Sequence, residues 1–186
     1  MARTNPTHRY IAFLRGINLG NRRVKMDHLR DLFQALKFSA VSTFIASGNV
    51  IFETPAADAA GLEQRIEAHL QKTLGYPVDT FLRTPADLAA VVAFRPFAAE
   101  ETEAPGHTLY VGFLRAAPAD AAVRKLLSLR TGYDDFRVEG RELYWLCRGR
   151  SSDSPVGWPV VAKTIGTPST MRNLTTVEKL AAMFAA

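Results

Sequence analysis

The sequence predicts an α+β protein made of two tandem ferredoxin-like subdomains, each with an antiparallel sheet, together with extra helices. Apolar periodicity in the first half predicts the element order β-α-β-β-α-β, which is the order of the ferredoxin-like plait. The same order follows a second time. Within it, the run from Val111 to Arg115 repeats the run from Ile11 to Arg15 at a shift of 100 residues. A repeated strand within a repeated element order indicates an internal duplication.

The first subdomain is predicted to span residues 1–94. Its first helix is indicated by Leu29, Leu32, Phe33 and Leu36, because a spacing of three and four residues places them on one helix face. Gly75 marks the end of the second helix. We predict strands at Arg9–Leu14, Val41–Ala46, Asn49–Thr54 and Val78–Arg83, and helices at Met26–Lys37, Ala59–Leu74 and Ala86–Ala93.

Both faces of the first strand are mostly apolar. Tyr10, Ala12 and Leu14 share one face, and Ile11, Phe13 and Arg15 share the other. A sheet that exposes one face to water alternates apolar with polar residues. We therefore expect the face without the two crossover helices to be at least partly covered, by the extra helix or by the other half of the chain.

Residues 95–106 are predicted to link the two halves, because Pro96, Pro105 and an acidic run interrupt the periodic pattern. The second subdomain is predicted to span residues 107–186. We predict strands at 107–115, Tyr133–Val138, Glu142–Cys147 and Ser169–Arg172, and helices at Ala119–Leu129, Trp158–Thr164 and Thr176–Phe184.

Composition narrows the classes of function. Of the 186 residues, 47% are hydrophobic, which favours a packed core over disorder. No apolar stretch approaches the roughly 20 residues of a membrane-spanning helix, so we expect a soluble cytoplasmic protein without a membrane partner. One cysteine and four dispersed histidines give no metal-ligand spacing, so we expect no metal and no cofactor. We expect Cys147, in a strand-like run, to be a buried and inert thiol.

Strand directions bring three connections to one end of the first subdomain: the loop Arg15–Lys25, the turn Ser47–Asn49 and the segment Gly75–Pro77. The loop contains four basic residues, no acidic one, and the start of a helix. Guanidinium groups, exposed amides and glycines together can bind an anion. The candidate anion- or ligand-binding residues are Arg15, Gly16, Asn18, Gly20, Arg22, Arg23, Lys25, Ser47, Asn49 and, from the second half, Arg172.

A purely structural explanation of the loop stands beside this one. The glycines permit tight turns, the arginines form a solvated rim, and Asn49 closes a hairpin. The glycine spacing fits neither a P-loop nor a dinucleotide-binding fingerprint.

Three functions remain open. The first is a non-enzymatic module that binds nucleic acid or a phosphate-bearing small molecule at the loop, which agrees with the net charge of +5. The second is a small phosphate-handling enzyme similar to acylphosphatases, with Arg15, Arg22 or Arg23 holding phosphate and Asn18 or Asn49 orienting water. The third is a protein-interaction module, for example a homodimer formed through exposed strand edges. The sequence assigns no catalytic residue.

Three motifs resemble the bacterial family called domain of unknown function 1697 (DUF1697). They are Tyr10–Gly20, Ser47–Phe52 and Thr170–Leu180. In the third motif, family members often have tryptophan where Leu174 stands and asparagine where Thr175 stands. The resemblance spans nearly the whole chain and implies two ferredoxin-like subdomains. It implies no established activity, cofactor or catalytic residue.

Overall fold

The computed structural model describes residues 6–45 and 48–185. The chain divides into two compact units, Met1–Asp87 and Leu88–Ala186. The fold is mixed α+β, and each unit contains one four-stranded antiparallel sheet. The predicted limits of the two subdomains, 1–94 and 107–186 with a linker at 95–106, stay a prediction.

The order of strands and helices agrees with the sequence prediction. The elements up to the first residues of the second unit are β1 (His8–Leu14), α1 (Met26–Ala35), β2 (Ser39–Thr43), β3 (Asn49–Thr54), α2 (Ala59–Leu74), β4 (Thr80–Arg83) and α3 (Pro85–Ala93). The second unit continues with α4 (Ala99–Thr102), β5 (Thr108–Leu114), α5 (Asp120–Leu127), β6 (Asp134–Glu139), β7 (Glu142–Cys147), a short 3₁₀ helix (Ser151–Asp153), α6 (Trp158–Ile165), β8 (Ser169–Asn173) and α7 (Leu174–Ala182).

Five predicted elements end earlier than expected: α1, β2, β5, α5 and α7. α1 ends at Ala35 instead of Lys37, because Lys37 has a left-handed φ of +65°. β2 occupies Ser39–Thr43 instead of Val41–Ala46, since Ile45 has a φ of +58° and leaves the extended region. Ala46 itself lies outside the described residues.

The predicted linker also contains an element that the sequence did not reveal. The short helix α4 occupies Ala99–Thr102, where two acidic residues in the first turn suit the positive end of a helix.

In the first unit, the strand order is β2-β3-β1-β4, with β1 antiparallel to both of its neighbours. α1 and α2 cover one face of this sheet. Tyr10, Ala12 and Leu14 of β1 pack there with Phe33 of α1 and Ile66 of α2, in one buried apolar cluster. Burial of this apolar face contributes to the driving force for folding of the unit.

The opposite face of the first sheet is buried as well. Ile11 and Phe13 of β1 and Phe81 of β4 are each 0% exposed. This confirms the expectation, drawn from the mostly apolar faces of β1, that the helix-free face is at least partly covered.

The second unit repeats the sheet with the order β6-β7-β5-β8. Trp145 of β7 packs with Phe136, Val161 and Ile165 on the face that α5 and α6 cover. On the other face, the rings of Phe94 and Tyr144 lie 5.0 Å apart, and the Tyr144 hydroxyl donates to the carbonyl of Val91 at 3.4 Å. The end of α3 therefore supplies part of the cover for the helix-free face of this sheet.

A buried carboxylate organises the start of β6. Oδ1 of Asp134 accepts hydrogen bonds from Trp145 Nε1 and Ser154 Oγ, both at 2.8 Å. Burial, with a smaller contribution from the Asp134 charge, raises the pKa of the Cys147 thiol to about 12. Cys147 is free and buried, which confirms the predicted burial of this thiol. The raised pKa disfavours the reactive thiolate.

The edge strand β4 is capped by glutamates of α2. Glu63 Oε1 accepts from the backbone N–H of Leu82, and Glu67 Oε1 from that of Thr80, both at 2.8 Å. Because β4 pairs with β1 alone among the described strands, these N–H groups would otherwise lack a partner in the sheet. The two side chains close this edge without adding a strand.

Candidate functional site

Three connections of the first unit meet at one end of its sheet, as the strand directions predict. The backbone N–H of Leu14 donates to the carbonyl of Gly48 at 2.8 Å. The hydroxyl of Tyr76 donates to the carbonyl of Ile17 at 3.3 Å. The end of β1, the hairpin after β2 and the segment after α2 are therefore in direct contact.

We call residues 15–25, which join β1 to α1, the basic loop. Its side chains Ile17 and Val24 are buried and fix it to the apolar cluster under the sheet. Between them, Asn18 Oδ1 accepts from the backbone N–H of Val24 at 2.7 Å, and the N–H of Arg22 donates to the carbonyl of Leu19 at 2.9 Å. Asn18 thus shapes the loop.

Two arginines of the basic loop are held in defined positions while remaining exposed. The guanidinium carbon of Arg22 lies 4.1 Å from the ring centroid of Tyr76, a cation–π geometry. Arg23 Nη1 donates to the carbonyls of Gly20 at 2.9 Å and Arg22 at 2.8 Å. These contacts reduce the side-chain freedom that binding an anion would otherwise remove.

Arg15 and Lys25 complete the positive surface. Arg15 Nη1 lies 3.5 Å from Asp79 Oδ2, and both side chains are substantially exposed, at 50% and 40%. Lys25 is the N-cap residue of α1 and provides no side-chain cap, so the first backbone N–H groups of α1 face the same end. Within the described part of the chain, no acidic side chain pairs with Arg22, Arg23 or Lys25.

Two further predicted site residues are buried, and one lies outside the described residues. Asn49 is fully buried, and its Nδ2 donates to the carbonyl of Phe44 at 2.9 Å, which places it inside the hairpin. Arg172 belongs to β8 in the second unit, where it is buried and donates to Thr170 Oγ1 at 2.9 Å. Burial lowers the pKa of Arg172 to about 10. Ser47 lies outside the described residues.

The chain matches the sequence model of the family described as "Protein of unknown function (DUF1697)" over residues 7–144. It belongs to the DUF1697 family. The matched range contains the first two motifs and the whole basic loop, whereas the third motif, Thr170–Leu180, lies beyond it.

A solved structure has a similar fold to this DUF1697 protein. It is described as the conserved bacterial protein SP0830 from Streptococcus pneumoniae, and it aligns with a TM-score of 0.73 at 20% sequence identity. The alignment covers 96% of this chain and 98% of that one. A comparison with curated proteins gave no match.

Sequence reasoning missed two neighbours of the basic loop in this DUF1697 protein. Tyr76 stacks on Arg22, and Asp79 faces Arg15. Tyr76 could have been found from its position in the segment Gly75–Pro77, which strand directions place beside the basic loop. Asp79 directly precedes β4 at the same end of the sheet, so strand direction also pointed to it.

The described residues contain neither a cluster of potential metal ligands nor a helix that could span a membrane. Among them, no group of three or more His, Cys, Asp or Glu side chains could hold a metal ion. None of the helices that they form combines the length and the apolar character needed to cross a bilayer.

Proposed function

We propose that this protein binds a phosphate-bearing ligand, a nucleotide or a nucleic-acid backbone, at the basic loop. The observation that carries the proposal is that the fold does not require a long connection at this point. In the second unit, residues 115–119 join β5 to α5, whereas residues 15–25 make the equivalent connection in the first unit. The first connection is more than twice as long as the second.

Both connections leave their strands in the same way. Leu14 N donates to the carbonyl of Gly48, and Leu114 N donates to that of Arg141, at 2.8 and 2.9 Å. The sheet of the second unit forms with a short connection at this position. Formation of the sheet therefore does not explain the additional length of the basic loop or its cationic side chains. Ligand binding supplies one.

The chemistry of the basic loop suits phosphate. Guanidinium groups present forked N–H donors that match phosphate oxygens, and Arg22 is already oriented by Tyr76. The exposed pair between Arg15 and Asp79 contributes about 0–1 kcal/mol. A phosphate can therefore replace Asp79 at Arg15 with little loss, and the N-terminus of α1 adds favourable partial charge.

The two asparagines named as candidates to orient water, Asn18 and Asn49, favour binding over turnover. An acylphosphatase-like reaction needs an amide that orients the attacking water. Asn18 accepts from the backbone of Val24, and Asn49 is buried and donates to Phe44. Both amides stabilise backbone conformation, so we assign the loop to ligand retention.

The test is fluorescence anisotropy with a labelled single-stranded oligonucleotide, with ATP and inorganic phosphate as competitors. We expect saturable binding at low salt and a loss of affinity of about ten-fold or more in the Arg22→Gln/Arg23→Gln variant. The matched control is Arg124→Gln/Lys125→Gln on α5, which removes the same charge from another exposed surface. Absence of binding at low salt, or an equal loss in the control, would refute the proposal.

We also propose that the two units are ferredoxin-like and arose by duplication. Their equal strand orders support this, as do two arginines in equivalent register. Arg83 pairs with Ile11, and Arg172 pairs with Val111, and each arginine donates through Nη1 to the carbonyl of the residue before it. Superposition of the two sheets in a crystal structure tests the proposal, and a different helix placement in one unit would contradict it.

A further inference from the structure

The second unit contains a cavity of about 500 Å³, within the size range of small-molecule sites. It lies where the segment after α3, the start of β5 and the start of α7 come together. Its lining comes from residues 94–109, most of them in the predicted linker, and from residues 173–178, part of the third sequence motif. The basic loop contributes nothing to it.

One wall of the cavity is apolar. Phe94, Phe97, Leu109 and Leu174 contribute to it. Phe97 and Leu109 are each only 8% exposed. Phe94 is held by the ring of Tyr144, 5.0 Å away. Such a wall favours an aromatic or branched aliphatic group.

The same cavity presents charges of both signs. Arg95 Nη1 and Glu178 Oε1 are 3.8 Å apart, and their side chains are 64% and 41% exposed. An exposed pair at this distance is weak, so each group can exchange its partner for a ligand group of opposite charge. Glu103 adds a second carboxylate to the lining.

Further polar groups complete the lining. His107 Nδ1 lies 2.6 Å from the carbonyl oxygen of Glu101. Because a carbonyl only accepts, Nδ1 is the donor of this hydrogen bond. Asn173 caps α7 by accepting from the backbone N–H of Thr175 at 2.9 Å, which orders the start of this nine-residue helix.

We infer that this cavity binds a free α-amino acid with an aromatic or large aliphatic side chain. Its carboxylate pairs with Arg95 at the start of α7, and its ammonium group pairs with Glu178 and Glu103. Its side chain packs on Phe94 and the rest of the apolar wall. The two charged groups of an α-amino acid are joined through a single carbon, which matches the 3.8 Å separation of Arg95 and Glu178.

The charge pattern excludes simpler ligands as the preferred occupants. A monocarboxylate would satisfy Arg95 but would face Glu178 and Glu103 with a like charge. A primary amine would satisfy the carboxylates but would leave Arg95 without compensation. Only a zwitterion complements both signs in the same cavity, and selectivity is the difference between these affinities.

The test compares three ligands that share one phenyl ring: L-phenylalanine, 3-phenylpropionate and 2-phenylethylamine. Their binding is followed by isothermal titration calorimetry and by ¹H–¹⁵N chemical-shift changes. We expect L-phenylalanine to bind saturably and about ten-fold or more tighter than either single-charge analogue. No saturable binding of L-phenylalanine or L-leucine at roughly 10 mM, a concentration that detects millimolar affinity, would overturn the inference, as would an analogue that binds equally well.

Substitutions of two exposed residues test whether the amino acid binds in this cavity. Arg95→Gln should remove the advantage of L-phenylalanine over the amine, and Glu178→Gln its advantage over the carboxylate. The matched controls are Arg124→Gln and Asp120→Asn on α5, which does not line the cavity. Retention of wild-type selectivity in both cavity variants would overturn the assignment. The Arg22→Gln/Arg23→Gln variant should bind L-phenylalanine normally, which separates this inference from the phosphate proposal.

Discussion

Gly48 shows how one residue holds the three connections of the first unit together. Its φ is +77°, and a Cβ atom built there would lie 2.7 Å from Cγ2 of Ile17 in the basic loop. Alanine is therefore disfavoured for two reasons. The left-handed backbone conformation strains any residue with a Cβ atom, and the Cβ atom would lie closer to Ile17 than van der Waals contact allows. The close approach of the hairpin to the basic loop depends on the missing side chain.

We predict that Gly48→Ala lowers the free energy of unfolding by about 2–4 kcal/mol, the sum of left-handed strain and overpacking. Urea denaturation at constant m-value measures this change. The matched control is Gly20→Ala, because Gly20 also has a positive φ, +57°, but its Cβ would meet nothing within 4 Å. The control should lose only about 1 kcal/mol. Equal losses in both variants would contradict the contact with Ile17.

At the scale of elements, the glutamates of α2 decide how the edge of the first sheet behaves. Without Glu63, the buried N–H of Leu82 has no acceptor, and such a group costs about 1–3 kcal/mol. We predict that Glu63→Ala destabilises the protein by about 1.5–3 kcal/mol in chemical denaturation. Gln64→Ala, an exposed neighbour on the same helix, should stay within about 0.5 kcal/mol of wild type.

The double variant Glu63→Ala/Glu67→Ala should also aggregate in light scattering, because both capped N–H groups of β4 become available to another strand. A monodisperse, fully stable double variant would show that another group protects this edge. The native caps also reduce the case for self-association through β4, one form of the protein-interaction hypothesis.

For the whole molecule, the net charge of +5 attracts polyanions, but the position of the charge determines the mode of binding. If Arg22 and Arg23 each contact a phosphate of single-stranded DNA, each contributes about 0.7 to the slope of log affinity against log salt concentration. This slope is negative, and in the Arg22→Gln/Arg23→Gln variant its magnitude, measured by anisotropy, should therefore be smaller by about 1.4. An unchanged slope would mean that binding is spread over the whole surface.

The sequence by itself determined most of the local structure. The apolar stripe of α2 and the glycine after it fixed Ala59–Leu74, and β-branched and aromatic residues fixed Asn49–Thr54, because these periodicities act over a few residues. Strand direction, which follows from element order, also placed the basic loop beside the hairpin and the segment after α2. The end of β2 was not visible, since nothing in the residue type of Ile45 announces a left-handed φ.

Only the tertiary structure decided which side chains meet. Asn49 is buried in the hairpin, and Arg172 is buried in the second unit. Tyr76 orients Arg22. Composition gave no reason to expect that these residues have different roles. The cavity joins residues 94–109 to residues 173–178, and neither stretch has a ligand pattern on its own. Periodicity and charge are local properties of the chain, whereas a binding site is formed by contacts between segments that are distant in sequence, so packing alone assembles it.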